Sequence, residues 1–131
     1  MTLQEYADNL EDFSSYPHAG SRNAMAVNYC AIGMSSEVGE ALGEVKKAIR
    51  DDKFGMGGRA LEADRRFAAE LESGDVMFYL FRFIYEIGCD VEGVARANLA
   101  KLDSRYCDPK SKCYKPEIAE RRKLRAEAKR K

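Results

Sequence analysis

Glu37 and Glu40 stand three residues apart, and so do Glu72 and Asp75. If each pair lies on a helix, its two carboxylates share one face, with Cβ atoms roughly 5–6 Å apart. Two such pairs can face each other in a bundle. Carboxylates brought together this way repel strongly unless a cation neutralises them, and an all-oxygen ligand set suits a hard divalent ion. Mg²⁺ is the expected ion, Mn²⁺ the substitute, with two or more ions in one site. The surroundings of these acids are not those of a solvated helix face. Glu37 lies among Met34, Val38, Ala41 and Leu42, and Asp75 directly precedes the apolar run Val76–Phe81. A di-iron bundle also uses paired carboxylates, but it needs Glu-x-x-His on two helices, and His18 is the chain's one histidine.

A second constellation is Asn98, Lys101 and Arg105, at i, i+3 and i+7 on one helix face. Alone, such a stripe is an ordinary solvated surface. Combined with the carboxylate pairs, one amide and two cations can take phosphate oxygens while metal ions take others. Bridging cations of this kind neutralise and orient a polyphosphate and lower the pKa of a water able to attack the α-phosphorus. Glu37 is by position the candidate to receive that water's proton, although a base and a ligand are not separable from sequence.

The elements that must position these residues are helical. Thr2-Leu3-Gln4-Glu5 has the capping-box form, so a first helix is predicted to about Phe13, ended by Pro17, His18 and Gly20. A second helix is predicted from near Ser21 to about Ile49, with Met25, Ile32, Val38, Leu42, Val45 and Ile49 at approximately helical spacing. Gly33, Gly39 and Gly43 oppose it. Each costs a helix about 1 kcal/mol relative to alanine, so they imply close backbone contact or a local break. Asp51–Gly58 reads as a loop, followed by a third helix from near Ala60 to Gly88 and a fourth from Val91 to about Tyr106, with Asp90 as its cap. No segment alternates like a strand, so the expected fold is all-α and four-helix-bundle-like. The stretch Val76–Tyr85 is apolar nearly all the way round, which predicts a homo-oligomer, dimer or tetramer, formed through this helix.

A chain of 131 residues with 45% hydrophobic content supports one core, expected over residues 1–114, with a basic tail or helix over 115–131. Formal net charge is zero, yet the tail holds eight Lys or Arg against three Glu. No aromatic follows Tyr114 to stack on bases, so the tail reads as a solvated or frayed helix, and no nucleic-acid polymer is expected as a partner. The longest apolar run, Val76–Phe81, falls far short of the roughly 20 residues of a membrane span. The N-terminus lacks the order of a signal peptide, so a cytoplasmic location and no membrane partner are expected. Cys30, Cys89, Cys107 and Cys113 form no CxxC pair and are expected to be reduced thiols.

Three blocks resemble a known family, the MazG-like all-α nucleoside triphosphate pyrophosphohydrolases. They are Ile32-Gly33-Met34-Ser35-Ser36-Glu37-Val38-Gly39-Glu40-Ala41, Glu72-Ser73-Gly74-Asp75-Val76-Met77-Phe78-Tyr79-Leu80, and Ala97-Asn98-Leu99-Ala100-Lys101-Leu102-Asp103-Ser104-Arg105. They occur in the family's order and span roughly residues 21–106. The resemblance implies a metal site at Glu37, Glu40, Glu72 and Asp75, with Lys101 and Arg105 on phosphates and Asn98 near metal or nucleotide. It also brings the N-terminal half of the second helix to the nucleobase, where Asn28 has both donor and acceptor, and where Tyr29, Tyr6 or Phe13 could stack. The implied products are a nucleoside monophosphate and pyrophosphate. A purine triphosphate such as dGTP is one expected substrate, with dUTP, dCTP or phosphoribosyl-ATP as sibling specificities. Compact members occur in bacteria and bacteriophages, which implies a bacterial or phage-infected host cytoplasm. The interval of thirty-one residues between Glu40 and Glu72 is somewhat longer than the family's usual pattern. A competing class is a non-catalytic helical interaction protein whose acids merely solubilise it, which would have no reason to bind Mg²⁺ selectively.

Overall fold

Thr2 caps the first helix as its sequence requires: its hydroxyl accepts from the Glu5 amide at 3.1 Å, and the Glu5 carboxylate takes the Thr2 amide at 2.6 Å. The computed structural model describes residues 1–129, so Arg130 and Lys131 of the predicted tail lie outside the described residues. The described residues form five α-helices and no strand: α1 (Leu3–Asn9), α2 (Ala24–Asp51), α3 (Ala63–Glu86), α4 (Val91–Cys107) and α5 (Pro116–Ala128). Single 3-10 turns occupy Leu10–Phe13 and Met56–Gly58. Among the described residues no helix is long and apolar enough to cross a membrane.

Helix α1 stops at Asn9 and passes into the 3-10 turn before the expected end near Phe13, and two helix starts differ from the sequence expectation for identifiable reasons. Helix α2 begins at Ala24 instead of near Ser21 because Arg22 adopts a left-handed φ of 54° and Asn23 becomes the cap, accepting from the Ala26 amide at 3.0 Å. Helix α3 begins at Ala63 because Gly57 and Gly58 both take positive φ and Glu62 is extended. At its other end, Gly88 takes φ 79°, its amide bonds the Tyr85 carbonyl at 2.9 Å, and the Cys89 amide bonds the Ile84 carbonyl at 3.0 Å. That 6→1, 5→2 pattern ends a helix on glycine.

The chain divides into two units, Met1–Val91 and Glu92–Lys131. In the first, α2 and α3 pack as an antiparallel pair, shown by the contacts Cys30 with Phe83, Gly33 with Tyr79 and Glu44 with Arg65. Ala26, Cys30, Gly33, Glu37, Glu40 and Glu44 follow one another at steps of four and three residues, and Arg65, Glu72, Tyr79 and Glu86 recur every seven. These are the alternating spacings that keep a seam between two helices in register. One apolar cluster sits on Leu10, Phe81, Ile84 and Val91, a second on Tyr16, Ala26 and Cys30 with Phe83 against it.

The apolar run of α3 is therefore partly consumed within the unit. Phe81 and Ile84 are buried, while Tyr85 lies under the Arg22 and Arg82 guanidinium groups, 5.0 and 4.5 Å from its ring centre. Met77 and Leu80 of the run stay exposed, as do large apolar side chains elsewhere on the pair: Ile32 (71% exposed), Leu42 (62%), Phe67 (62%) and Leu71 (55%). All four cysteines are free thiols.

In the second unit, α5 is tied to α4 by Arg122, whose Nε donates to the Asp103 carboxylate at 2.7 Å, and by the Lys115 amide on the Tyr106 carbonyl at 2.9 Å. The predicted basic tail is thus an ordered helix over Pro116–Ala128, with none of its residues buried.

Candidate functional site

The α2–α3 seam carries acids at three levels, and the chain neutralises two of them. At the loop end, Arg65 reaches Glu44 at 3.2 Å, Asp52 at 3.1 Å and Asp51 at 3.7 Å, holding the end of α2 to the start of α3. At the opposite end, Glu86 is 1% exposed and saturated. Its carboxylate accepts from the Tyr16 hydroxyl (2.5 Å) and from the Gly20 (2.7 Å) and Arg22 (2.8 Å) amides, and Arg82 stands 3.9 Å away. Burial alone would raise its pKa, but these donors and the arginine hold it below the usual carboxylate range. Neither arginine cluster was anticipated from sequence. The seven-residue recurrence of Arg65, Glu72, Tyr79 and Glu86 could have placed Arg65 and Glu86 on the seam, but it carries no sign of Arg82 or of the Gly20 and Arg22 amides.

Between these levels lie Glu37, Glu40 and Glu72. One carboxylate oxygen of each falls within 4.8 Å of the others, with Glu37 and Glu72 half-buried and Glu40 exposed. Asp75 stands outside this triad. It is still near enough that its charge acts on Glu37, whose pKa is raised by partial burial and then by Glu40, Asp75 and Glu72. Among the described residues no Lys, Arg or His comes within ion-pair range of any of the four. Three oxygen donors at this separation, unmatched by a protein cation, have the hardness and charge that a Mg²⁺-like ion requires.

Beside the carboxylates, Tyr79 lies on the α2 backbone at Gly33: a Cβ there would come within 2.4 Å of the ring. Glu37 and Asp75 contribute to raising its phenol pKa, after burial and Tyr29. Tyr29 is tilted against Tyr79, ring centres 6.4 Å apart, and stacks on Tyr16 at 5.5 Å. Together with Phe13, which is 72% exposed, these rings line a cavity of about 190 Å³. Of the aromatic residues singled out for base stacking, Tyr29 and Phe13 reach this cavity; Tyr6 instead packs edge-on against Phe81 in the core. Tyr16, in the loop before α2, and Phe78 and Tyr79, in the apolar run of α3, also line the cavity and were missed, because neither setting marks an aromatic as a binding surface. Asn28 is exposed on α2 nine residues before Glu37, about 180° round the helix, so it is not brought to the carboxylates within one chain.

Asn98, Lys101 and Arg105 lie in the second unit, all exposed on α4 at their predicted helical spacing. The Arg105 guanidinium is 5.3 Å from the Tyr106 ring centre, and the Cys113 thiol beside it raises its pKa.

The described residues thus define an all-α protein whose central helix pair presents an unneutralised carboxylate cluster beside an aromatic cavity. The chain is 31% identical over 106 residues to the gene 37 protein of Mycobacterium phage L5, an alignment covering 80% of this chain and 89% of that protein. It belongs to the family of that phage protein. No protein-family model and no solved structure matches the chain.

Proposed function

We propose that the chain is a Mg²⁺-dependent nucleoside triphosphate pyrophosphohydrolase of the MazG-like type, acting as a homo-oligomer. One observation carries this reading: of the three acidic levels in the seam, the Glu37–Glu40–Glu72 level alone has no arginine, although its oxygens lie within 4.8 Å of one another. Glu37, Glu40 and Glu72 would hold one divalent ion, and Asp75 would share a second in this reading. Bound there, such ions offset polyphosphate charge and acidify a coordinated water.

The chain's own groups supply the rest. Glu37, its pKa raised by partial burial and then by the neighbouring carboxylates, is suited to receive a proton from the attacking water. Attack at the α-phosphorus forms one P–O bond and breaks the bond to the bridging oxygen, so pyrophosphate leaves and a nucleoside monophosphate remains. Lys101, Arg105 and Asn98 take phosphate oxygens in this reading. The cavity lined by Phe13, Tyr29 and Tyr79 offers a stacking surface for the base. Association through the exposed Ile32, Leu42, Phe67 and Leu71 would cover apolar surface that a monomer leaves in water.

The test is product analysis across the ribo- and deoxynucleoside triphosphates with Mg²⁺. Monophosphate and pyrophosphate from at least one of them, abolished by chelation, is expected. No turnover of any would overturn the reading.

A further inference from the structure

The two units have opposite charge. Glu92–Lys131 carries thirteen Lys or Arg against six Asp or Glu, whereas Met1–Val91 carries nine against sixteen. Much of the excess is on α5. Arg121, Arg122, Arg125 and Lys129 fall within an arc of about 100° at 3.6 residues per turn, and Glu117, Glu120 and Glu127 lie outside it. At the start of α5, Ile118 and Ala119 are half-buried, but every described residue from Glu120 onward is exposed. Between α4 and α5 runs a groove of about 780 Å³ lined by Arg122, Lys123, Arg125 and Lys129, with Asp103 engaging Arg122. Lys123, Arg125 and Lys129 have no carboxylate within ion-pair range among the described residues.

We infer that this face of α5 docks on double-stranded nucleic acid through its phosphates, independently of base sequence. The absence of aromatics after Tyr114 argues against stacking on single-stranded bases, yet it places no limit on phosphate contact, which needs only a row of cations. Ile118 and Leu124 are the only large apolar residues of α5, too few for a face that inserts into a lipid surface. With the carboxylates of α5 kept to one side and Arg122 held by Asp103, Arg121, Arg125 and Lys129 remain to follow a phosphate rail. None of the residues of this face belongs to the carboxylate cluster, so the inference does not depend on the proposed hydrolysis.

The experiment measures binding of the full chain to a random-sequence duplex by fluorescence anisotropy, between about 50 and 200 mM salt. With about three phosphates neutralised, log K should fall linearly against log salt with a slope near −2.7. The double variant Arg125→Glu, Lys129→Glu should bind at least about tenfold more weakly, with a slope shallower by about 2. Its circular dichroism and Mg²⁺-induced thermal shift should match those of the unsubstituted chain. Absence of binding at the lowest salt, an unchanged slope in the variant, or equal affinity for a single strand would overturn the inference. So would salt-sensitive self-association abolished by the same variant without any duplex binding, which would assign the face to the acidic unit of a second copy.

Discussion

Tyr79 of α3 lies flat against the α2 backbone at Gly33, so close that a methyl group there would sit 2.4–2.7 Å from three of its ring carbons. At Gly39 and Gly43, the other two interior glycines of α2, an added Cβ would meet nothing within 4 Å.

Gly33→Ala is therefore expected to displace the Tyr79 ring and destabilise the fold by about 1–3 kcal/mol, as overpacking does. Gly39→Ala should instead gain up to about 1 kcal/mol of helix propensity. Urea melts of the two variants compare them directly. Equal effects would mean that the Gly33–Tyr79 contact does not set the spacing of the pair.

Glu86 carries a prediction with a sign in pH. Replacing it by Gln leaves Arg82 without its counter-charge in a buried setting and should cost about 3 kcal/mol at neutral pH. Because its pKa is held below the ordinary 4.5, the stability it contributes is present above that value and lost as pH falls through its folded value. Glu37 works oppositely: its pKa is raised, so what it contributes is present below 4.5 and lost as pH rises through its folded value. The gap between wild type and Glu86→Gln should narrow on acidification. A gap that stays constant well below pH 4.5 would contradict the saturated, ionised carboxylate described.

The helical plan was legible because α2 and α3 are long, α1 opens on an explicit capping box and Gly88 ends α3. The paired acids were legible because ExxE and ExxD on helices permit few arrangements. What sequence could not supply was which acids were already answered. Glu86 and Glu72 look alike in the chain, yet one is saturated by the Tyr16 hydroxyl and the Gly20 and Arg22 amides, and the other clusters with Glu37 and Glu40 with no ion-pair partner among the described residues. Loop geometry decides this, and Arg22, with its left-handed φ, gives no local signal of it. Likewise the run Val76–Tyr85 reads as uniformly apolar, but α1 and the 3-10 turn cover much of it.

Glu40→Gln and Asp75→Asn should each lower turnover at least about a hundredfold, since removing a ligand charge disturbs ion placement and transition-state neutralisation together. Both should fold normally, because each relieves repulsion in the ion-free protein. Mg²⁺ should raise the melting temperature of the wild type and do so less for Glu40→Gln. Near-normal activity in either variant would remove that residue from the metal site.

The central claim is attack at the α-phosphorus by a water held at the Glu37–Glu40–Glu72 cluster. Hydrolysis of a turned-over nucleoside triphosphate in ¹⁸O-labelled water, read by mass spectrometry, tests it most directly. The label should enter the monophosphate and be absent from pyrophosphate. Nucleoside diphosphate with labelled orthophosphate would mean attack at the γ-phosphorus and would contradict the account.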